Sequence, residues 1–206
     1  MIAIIDYGVG NLRNVYMAFK RMNKEAVITS REEDITASSG IVLPGVGAYR
    51  DAMKSLRDTG LIPCIKACAD ANKPLLGICL GMQLLYEKSY EDGEYKGLGL
   101  LKGEIVKLQV PYKVPHMGWN RLDKRREDSM LEGFESGEYA YFVHSYYLET
   151  AEKDQIILTA DYGVQVPALV RKNNLVGMQF HPEKSSTTGE KLLRNFIKLT
   201  EMEDKI

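Results

Sequence analysis

Along its first 86 residues the chain alternates short apolar runs with stretches of helical spacing, and nothing else in it limits the fold so tightly. Ile2–Tyr7 reads as a strand buried on both faces. Asn11 can then cap a helix whose Leu12, Val15, Phe19 and Met22 recur on one side. Ala26–Thr29 and Gly40–Leu43 are two further short strands, the second cut off by Pro44-Gly45-Val46-Gly47, which reads as a loop. Helical spacing resumes over Ala48–Leu56 and Ile62–Ala71. Pro74–Ile78 is another apolar strand, and Leu80–Tyr86 opens a helix. Strands alternating with helices imply a parallel sheet covered on both faces, because parallel neighbours need long crossover connections.

The second half changes character. Glu104–Leu108, Tyr139–Tyr147, Ile156–Ala160, Ala168–Arg171 and Val176–Phe180 read as strands separated by turn-like stretches such as Lys172-Asn173-Asn174. They are expected as antiparallel or mixed additions to the same sheet. The chain returns to helix at Thr187-x-x-Glu190, a capping box followed by Leu192, Leu193, Phe196 and Ile197. With 206 residues, no repeat and no low-complexity linker, the expectation is one domain over residues 1–206. Its class is α/β, with a mixed, mostly parallel central sheet flanked by helices.

Charge removes several functions from consideration. Lys and Arg number 27 against 28 Asp and Glu, so no basic footprint points to nucleic acid or an anionic membrane. Lys124-Arg125-Arg126 is answered at once by Glu127 and Asp128 and reads as a solvated loop. No stretch approaches the roughly 18 apolar residues of a membrane span, and Met-Ile-Ala-Ile-Ile-Asp carries no basic leader or cleavage site. A soluble cytoplasmic protein is expected, and three cysteines, an odd number, suit a reducing compartment.

Among those cysteines, Cys64 and Cys68 sit four apart with helical spacing and read as small buried residues. Cys79 differs. It lies in Pro74-Leu-Leu-Gly-Ile-Cys-Leu-Gly-Met-Gln83, an apolar strand, then Gly77-x-Cys79-x-Gly81, then a helix. That is the nucleophile-elbow pattern with sulfur in place of a hydroxyl. A sharp strand-to-helix turn exposes the nucleophile at the sheet's end and crowds its neighbours, which favours glycine on either side. The following helix aims its free N–H groups at the sulfur and favours the thiolate, and the Leu80 amide is placed to donate to an oxyanion.

Of three histidines, only His181, in His181-Pro182-Glu183, has a carboxylate two residues away. In extended backbone these two side chains share a side, and Pro182 biases His181 to that conformation. A carboxylate on one imidazole nitrogen leaves the other free to take a proton from a thiol. His144 lies among aromatics and is expected in the core or lining a pocket. No two histidines share a metal-ligand spacing, so no metal is expected.

These residues, with the Pro44–Gly47 loop, resemble those of the class I (triad) glutamine amidotransferases, whose fold is flavodoxin-like. Blocks in order along nearly the whole chain carry the resemblance: Asp6-Tyr-Gly-Val-Gly-Asn-Leu12, Pro44-Gly-Val-Gly-Ala48, Gly77–Gln83, Pro115-His-Met-Gly-Trp-Asn120, Tyr141-Phe-Val-His-Ser-Tyr146 and Gln179-Phe-His-Pro-Glu-Lys-Ser185. The Pro115–Asn120 block narrows it to the branch serving histidine biosynthesis. The resemblance implies hydrolysis of L-glutamine through a Cys79 thioester, with ammonia passed to a (βα)8-barrel cyclase in a heterodimer. No cofactor is implied. Cys79 is then the nucleophile, His181 the base and later the acid, and Glu183 the orienting carboxylate. The amide of Val46 or Gly47 and that of Leu80 would form the oxyanion hole. Gln83 would hold the substrate's α-amino-acid end, helped by backbone groups of Ser145 and Tyr146. Asn11, Pro115, Met117, Trp119 and Lys184 would face the cyclase. A glutaminase for another nucleotide or vitamin pathway keeps the triad and changes the acceptor, and a hydrolase or peptidase of similar fold is a weaker option. A silent regulatory subunit is the non-enzyme alternative, but all three triad residues are present.

Overall fold

The structure, a computed structural model, describes residues 1–202. Its parallel half is built from β1 (Ile2–Ile5), β2 (Ala26–Thr29), β3 (Gly40–Gly45) and β4 (Leu75–Cys79), ordered β2-β1-β3-β4. The crossovers carry α1 (Leu12–Arg21), α2 (Glu32–Ala37), α3 (Tyr49–Asp58) and α4 (Ile62–Asp70), and α5 (Leu80–Leu84) follows β4 directly. Every residue of β1, β3 and β4 is buried, as continuous apolar runs require of strands covered on both faces. Ile2, Ile4, Val42 and Leu76 pack with Val15 and Phe19 of α1. Ala3, Ile5, Ile41 and Leu43 pack oppositely, with Met53 and Leu56 of α3 and Ile65 of α4. Alternation along each strand therefore feeds two separate cores. Helix α2, six residues burying only Ile35, is too short to leave a periodic signal.

The remaining elements are β5 (Lys88–Ser89), β6 (Tyr95–Lys96), β7 (Glu104–Lys107), β8 (His116–Arg121), β9 (Asp123–Lys124), β10 (Tyr139–His144), β11 (Tyr146–Glu149), β12 (Ile156–Asp161), β13 (Gln165–Lys172), β14 (Leu175–Met178) and α6 (Ser186–Met202). Strand β14 lies parallel to β4, and β13, β12 and β9 continue antiparallel to complete a mixed eight-stranded sheet. Not all later strands join it, contrary to expectation. β8 and β10 form a separate ribbon, and β11, β7, β5 and β6 a sheet of their own.

Three local readings are corrected. Tyr139–Tyr147 is two strands, because the chain leaves β8 for β7 at Ser145. Ala140, Phe142, His144 and Leu148 are buried on both sides of that bend, so the period-two pattern conceals it. Pro44 and Gly45 belong to β3, opposite Ile78 and Cys79. The β1 pairing ends at Val42, so Pro44 sits where the strand has one neighbour and its missing N–H costs no ladder bond. The capping box does not form: α6 starts at Ser186, Thr187 lies inside its first turn, and Glu190 pairs with Arg194. Among the described residues, no helix is long and apolar enough to cross a membrane.

Candidate active site

The carboxyl ends of β1, β3, β4 and β14 open on one edge of the sheet, where parallel α/β folds place their ligands. Cys79 ends β4 with φ +54° and ψ −113°, a left-handed conformation costing a non-glycine residue about 1–3 kcal/mol. The two flanking glycines make this turn possible sterically. A Cβ on Gly81 would stand 1.8 Å from the Leu43 carbonyl oxygen, and one on Gly77 would stand 2.6 Å from the Met82 Cα. Helix α5 thus lies directly on β3 and β4, and its first amide, that of Leu80, follows the sulfur.

His181 donates from Nδ1 to Glu183 Oε1 at 2.9 Å, with side chains 3% and 1% exposed. The predicted pairing holds, but its local geometry differs from the expectation. His181 is extended, whereas Pro182–Lys184 is a 3-10 turn, and the turn brings the carboxylate round. Ser185 locks the turn to β10: its hydroxyl donates to the His181 carbonyl at 2.7 Å and accepts from the Tyr141 amide at 2.9 Å. Glu183 Oε2 and His181 Nε2 are buried without a partner. For the imidazole, that leaves one nitrogen free for proton transfer. Burial opposes a charge on His181, but the Cys79 sulfur and the Glu183 carboxylate outweigh it and raise its pKa to about 10. Both influences favour the protonated imidazole.

Val46, Gly47, Cys79, Leu80, Gln83 and His181 all line one cavity of about 300 Å³, as do Pro115, Ser145 and Tyr146. That volume is at the small end of ligand sites and suits a single amino acid. Gly47 has φ +92° with nothing within 4 Å of where a Cβ would stand, and Val46 is exposed, so little packing holds the peptide groups of this segment. Gln83 Nε2 donates to the Tyr146 carbonyl at 2.9 Å and to Gln179 Oε1 at 3.0 Å, which leaves its own Oε1 to accept from a further donor. The Tyr146 carbonyl also accepts from His144, so it has no lone pair left to offer.

Two residues at this site went unnoticed in the sequence. Gln179 is fully buried and turns Nε2 toward Cys79 Sγ at 3.9 Å. The trace it left is a lone amide inside an apolar strand run. Glu91 lines the cavity while its Oε2 accepts from the Tyr49 amide at 2.7 Å, and burial raises its pKa. It lies in a charged loop between short strands and left no trace.

The expected docking residues are partly gathered. Met117 and Trp119 are 62% and 54% exposed on the outer face of β8. Trp119 meets the Tyr141 ring edge-on, and Lys184 Nζ lies 5.9 Å from that ring. Pro115 lines the cavity itself. Asn11 caps α1 by accepting from the Asn14 amide at 3.4 Å, in a loop that packs on Pro44 through Gly10. Among the described residues, no cluster of three His, Cys, Asp or Glu is arranged to hold a metal.

Residues 3–199 match the family described as glutamine amidotransferase class-I. The chain is 51% identical over 196 residues to the imidazole glycerol phosphate synthase subunit HisH of Bacillus cytotoxicus, covering 95% of this chain and 93% of that one. It is 52% identical over 197 residues to the subunit of the same name from Bacillus cereus, with the same coverage. A solved glutamine amidotransferase superposes with a TM-score of 0.77 at 20% identity, over 98% of this chain and 100% of that one. PurLQS from Thermotoga maritima gives 0.72 at 21%, over 96% and 97%. The fold is shared with these structures, and this chain is a class I glutamine amidotransferase.

Proposed function

We propose that the chain is the glutaminase subunit of an imidazole glycerol phosphate synthase in histidine biosynthesis, delivering ammonia to a (βα)8-barrel cyclase. Its carrying observation is the alignment of Cys79 on a strained elbow, a buried His181 and a Glu183 bonded to the far imidazole nitrogen, around a cavity of amino-acid size. The half-reaction follows from these groups. The Cys79 sulfur attacks the glutamine carboxamide carbon, and the negative charge passes to the carbonyl oxygen beside the Leu80 amide and that of Val46 or Gly47. Each such donor contributes about 10²–10³ in rate. His181 gives its proton to the departing nitrogen, ammonia leaves, and a glutamyl thioester remains. Water, deprotonated by His181, then attacks the thioester carbon and releases glutamate, and the proton returns to the sulfur–imidazole pair. Gln83 Oε1 and the Glu91 carboxylate are the acceptors available to the substrate's ammonium group.

Met117, Trp119, Lys184, Pro115 and Asn11 form the face toward the cyclase in this reading. The exposed tryptophan and methionine on one strand supply the apolar anchors that interfaces favour. The test is Cys79→Ala in the complex with its cyclase. Glutamine-dependent product formation is expected to vanish while formation from added ammonium salt survives. Loss of both would mean that Cys79 supports structure instead of chemistry.

A further inference from the structure

His116 and His144 stand 28 residues apart in sequence and meet at the end of the β8–β10 ribbon, where they are register partners. Both are buried, and His116 is stacked between Phe142 at 4.6 Å and Tyr162 at 4.0 Å. Their hydrogen bonds admit one proton arrangement. His144 Nδ1 lies 2.9 Å from the Tyr146 carbonyl, which only accepts, so that nitrogen carries the proton. Burial lowers the pKa of His144 to about 3 and that of His116 to about 4, so both rings are neutral. His144 Nε2 is then bare and accepts from His116 Nδ1 at 3.0 Å. His116 Nε2 in turn accepts from Asn120 Nδ2 at 3.1 Å, and the same amide donates to the Asp161 carbonyl at 2.9 Å. Donors therefore point in one direction, from Asn120 through both rings to the Tyr146 carbonyl. Gln83 donates to that same oxygen from the pocket side.

We propose that His144 and His116 are positioning residues for substrate binding: His144 holds the Tyr146 carbonyl on which Gln83 is aimed, and His116 selects the His144 tautomer that can do so. The inference rests on the glutaminase reading above. Neither ring has a part in moving the proton of the reaction. Without His144 the carbonyl loses one of its two donors and Gln83 loses its fixed anchor. Without His116 only the Tyr146 carbonyl still opposes the other tautomer, which would turn a bare nitrogen toward that oxygen. The effect belongs to KM for glutamine, because the anchor serves the α-amino-acid end and not the attacked carbon.

The test is glutamate release by the complex with its cyclase. His144→Leu is expected to raise KM about tenfold, the worth of one hydrogen bond, with a smaller fall in kcat. His116→Leu is expected to raise it about threefold, and the double variant to match His144→Leu alone, since one residue acts through the other. His144→Asn, whose amide reaches the Nδ1 position, recovers most of the loss. Modification of Cys79 by a glutamine-analogue electrophile slows with KM, whereas modification by iodoacetamide, which has no amino-acid end, slows far less. An unchanged KM, or additive effects in the double variant, overturns the proposal. Should His144→Leu not fold, the ring ¹⁵N shifts of the unaltered chain decide: protons on Nδ1 of both rings support it, and a proton on His144 Nε2 overturns it. An unaltered complex that releases no glutamate would sink the functional reading itself, a result distinct from these.

Discussion

Replacing Glu183 by glutamine keeps the shape of the triad and removes one charge, so it separates electrostatics from packing. Glu183 is 1% exposed, and its Oε1 accepts from His181 Nδ1 at 2.9 Å. A hydrogen bond to a charged group is worth about 1.5–3 kcal/mol, and about 1.4 kcal/mol displaces a protonation equilibrium by one pH unit. Glu183→Gln is therefore expected to move the loss of the His181 proton from about 10 down by roughly one to two pH units. The assay is the pH dependence of glutamate release and of Cys79 modification by a glutamine analogue. Both should show an alkaline limb that shifts downward in the variant. At neutral pH, turnover should fall by about 10²–10⁴, the usual worth of a positioned acid–base group. Stability carries an independent signature. A histidine whose pKa is raised on folding contributes stability that is whole below its unfolded value of 6.5 and lost as pH rises through about 10. The decline of Tm across that window should end at lower pH in the variant. An alkaline limb that stays near pH 10 would refute the assignment of Glu183 as one of the two groups, with Cys79, that hold the His181 charge.

Three further outcomes follow from distances at the same edge of the sheet. Gly81→Ala must displace a Cβ that would stand 1.8 Å from the Leu43 oxygen, so it should cost about 4 kcal/mol or more and lower Tm by about 10 °C; a Tm near that of the unaltered chain would contradict the elbow packing. Tyr7→Phe deletes the buried 2.6 Å bond from the Tyr7 hydroxyl to the Pro44 carbonyl and should lower Tm by about 3–6 °C in calorimetry, with slower turnover because β3 leads into the oxyanion segment. Trp119→Ala should weaken association with the cyclase about 30-fold in titration calorimetry and leave the Tm of the isolated chain alone; a Tm loss with unchanged affinity would make Trp119 a structural residue.

What the sequence made legible is what steric necessity writes locally. Strands buried on both faces must be apolar throughout, and Ile2–Ile5 and Leu75–Cys79 are. A helix that begins against two strands must have glycine where its backbone touches them, and Gly77 and Gly81 stand there. The grouping of Cys79, His181 and Glu183, the proposed triad, was legible for the same reason, since each sits in a short motif whose backbone constraint is visible. Extended backbone alone does not bring the pair together: Glu183 reaches His181 through a 3-10 turn that Ser185 fastens to β10. The polar network around the triad obeys no such local rule. Gln179 meets Gln83 across 96 residues, Glu91 caps α3 across 42, and His116 finds His144 only because a ribbon folds away from the sheet. A buried amide or imidazole is satisfied by whichever strand the topology places opposite, so its partner cannot be named until the topology is known. What a sequence can show is the demand for a partner. Gln179 in an apolar run and His144 in an aromatic one are such demands, and both are answered within the walls of the catalytic cavity.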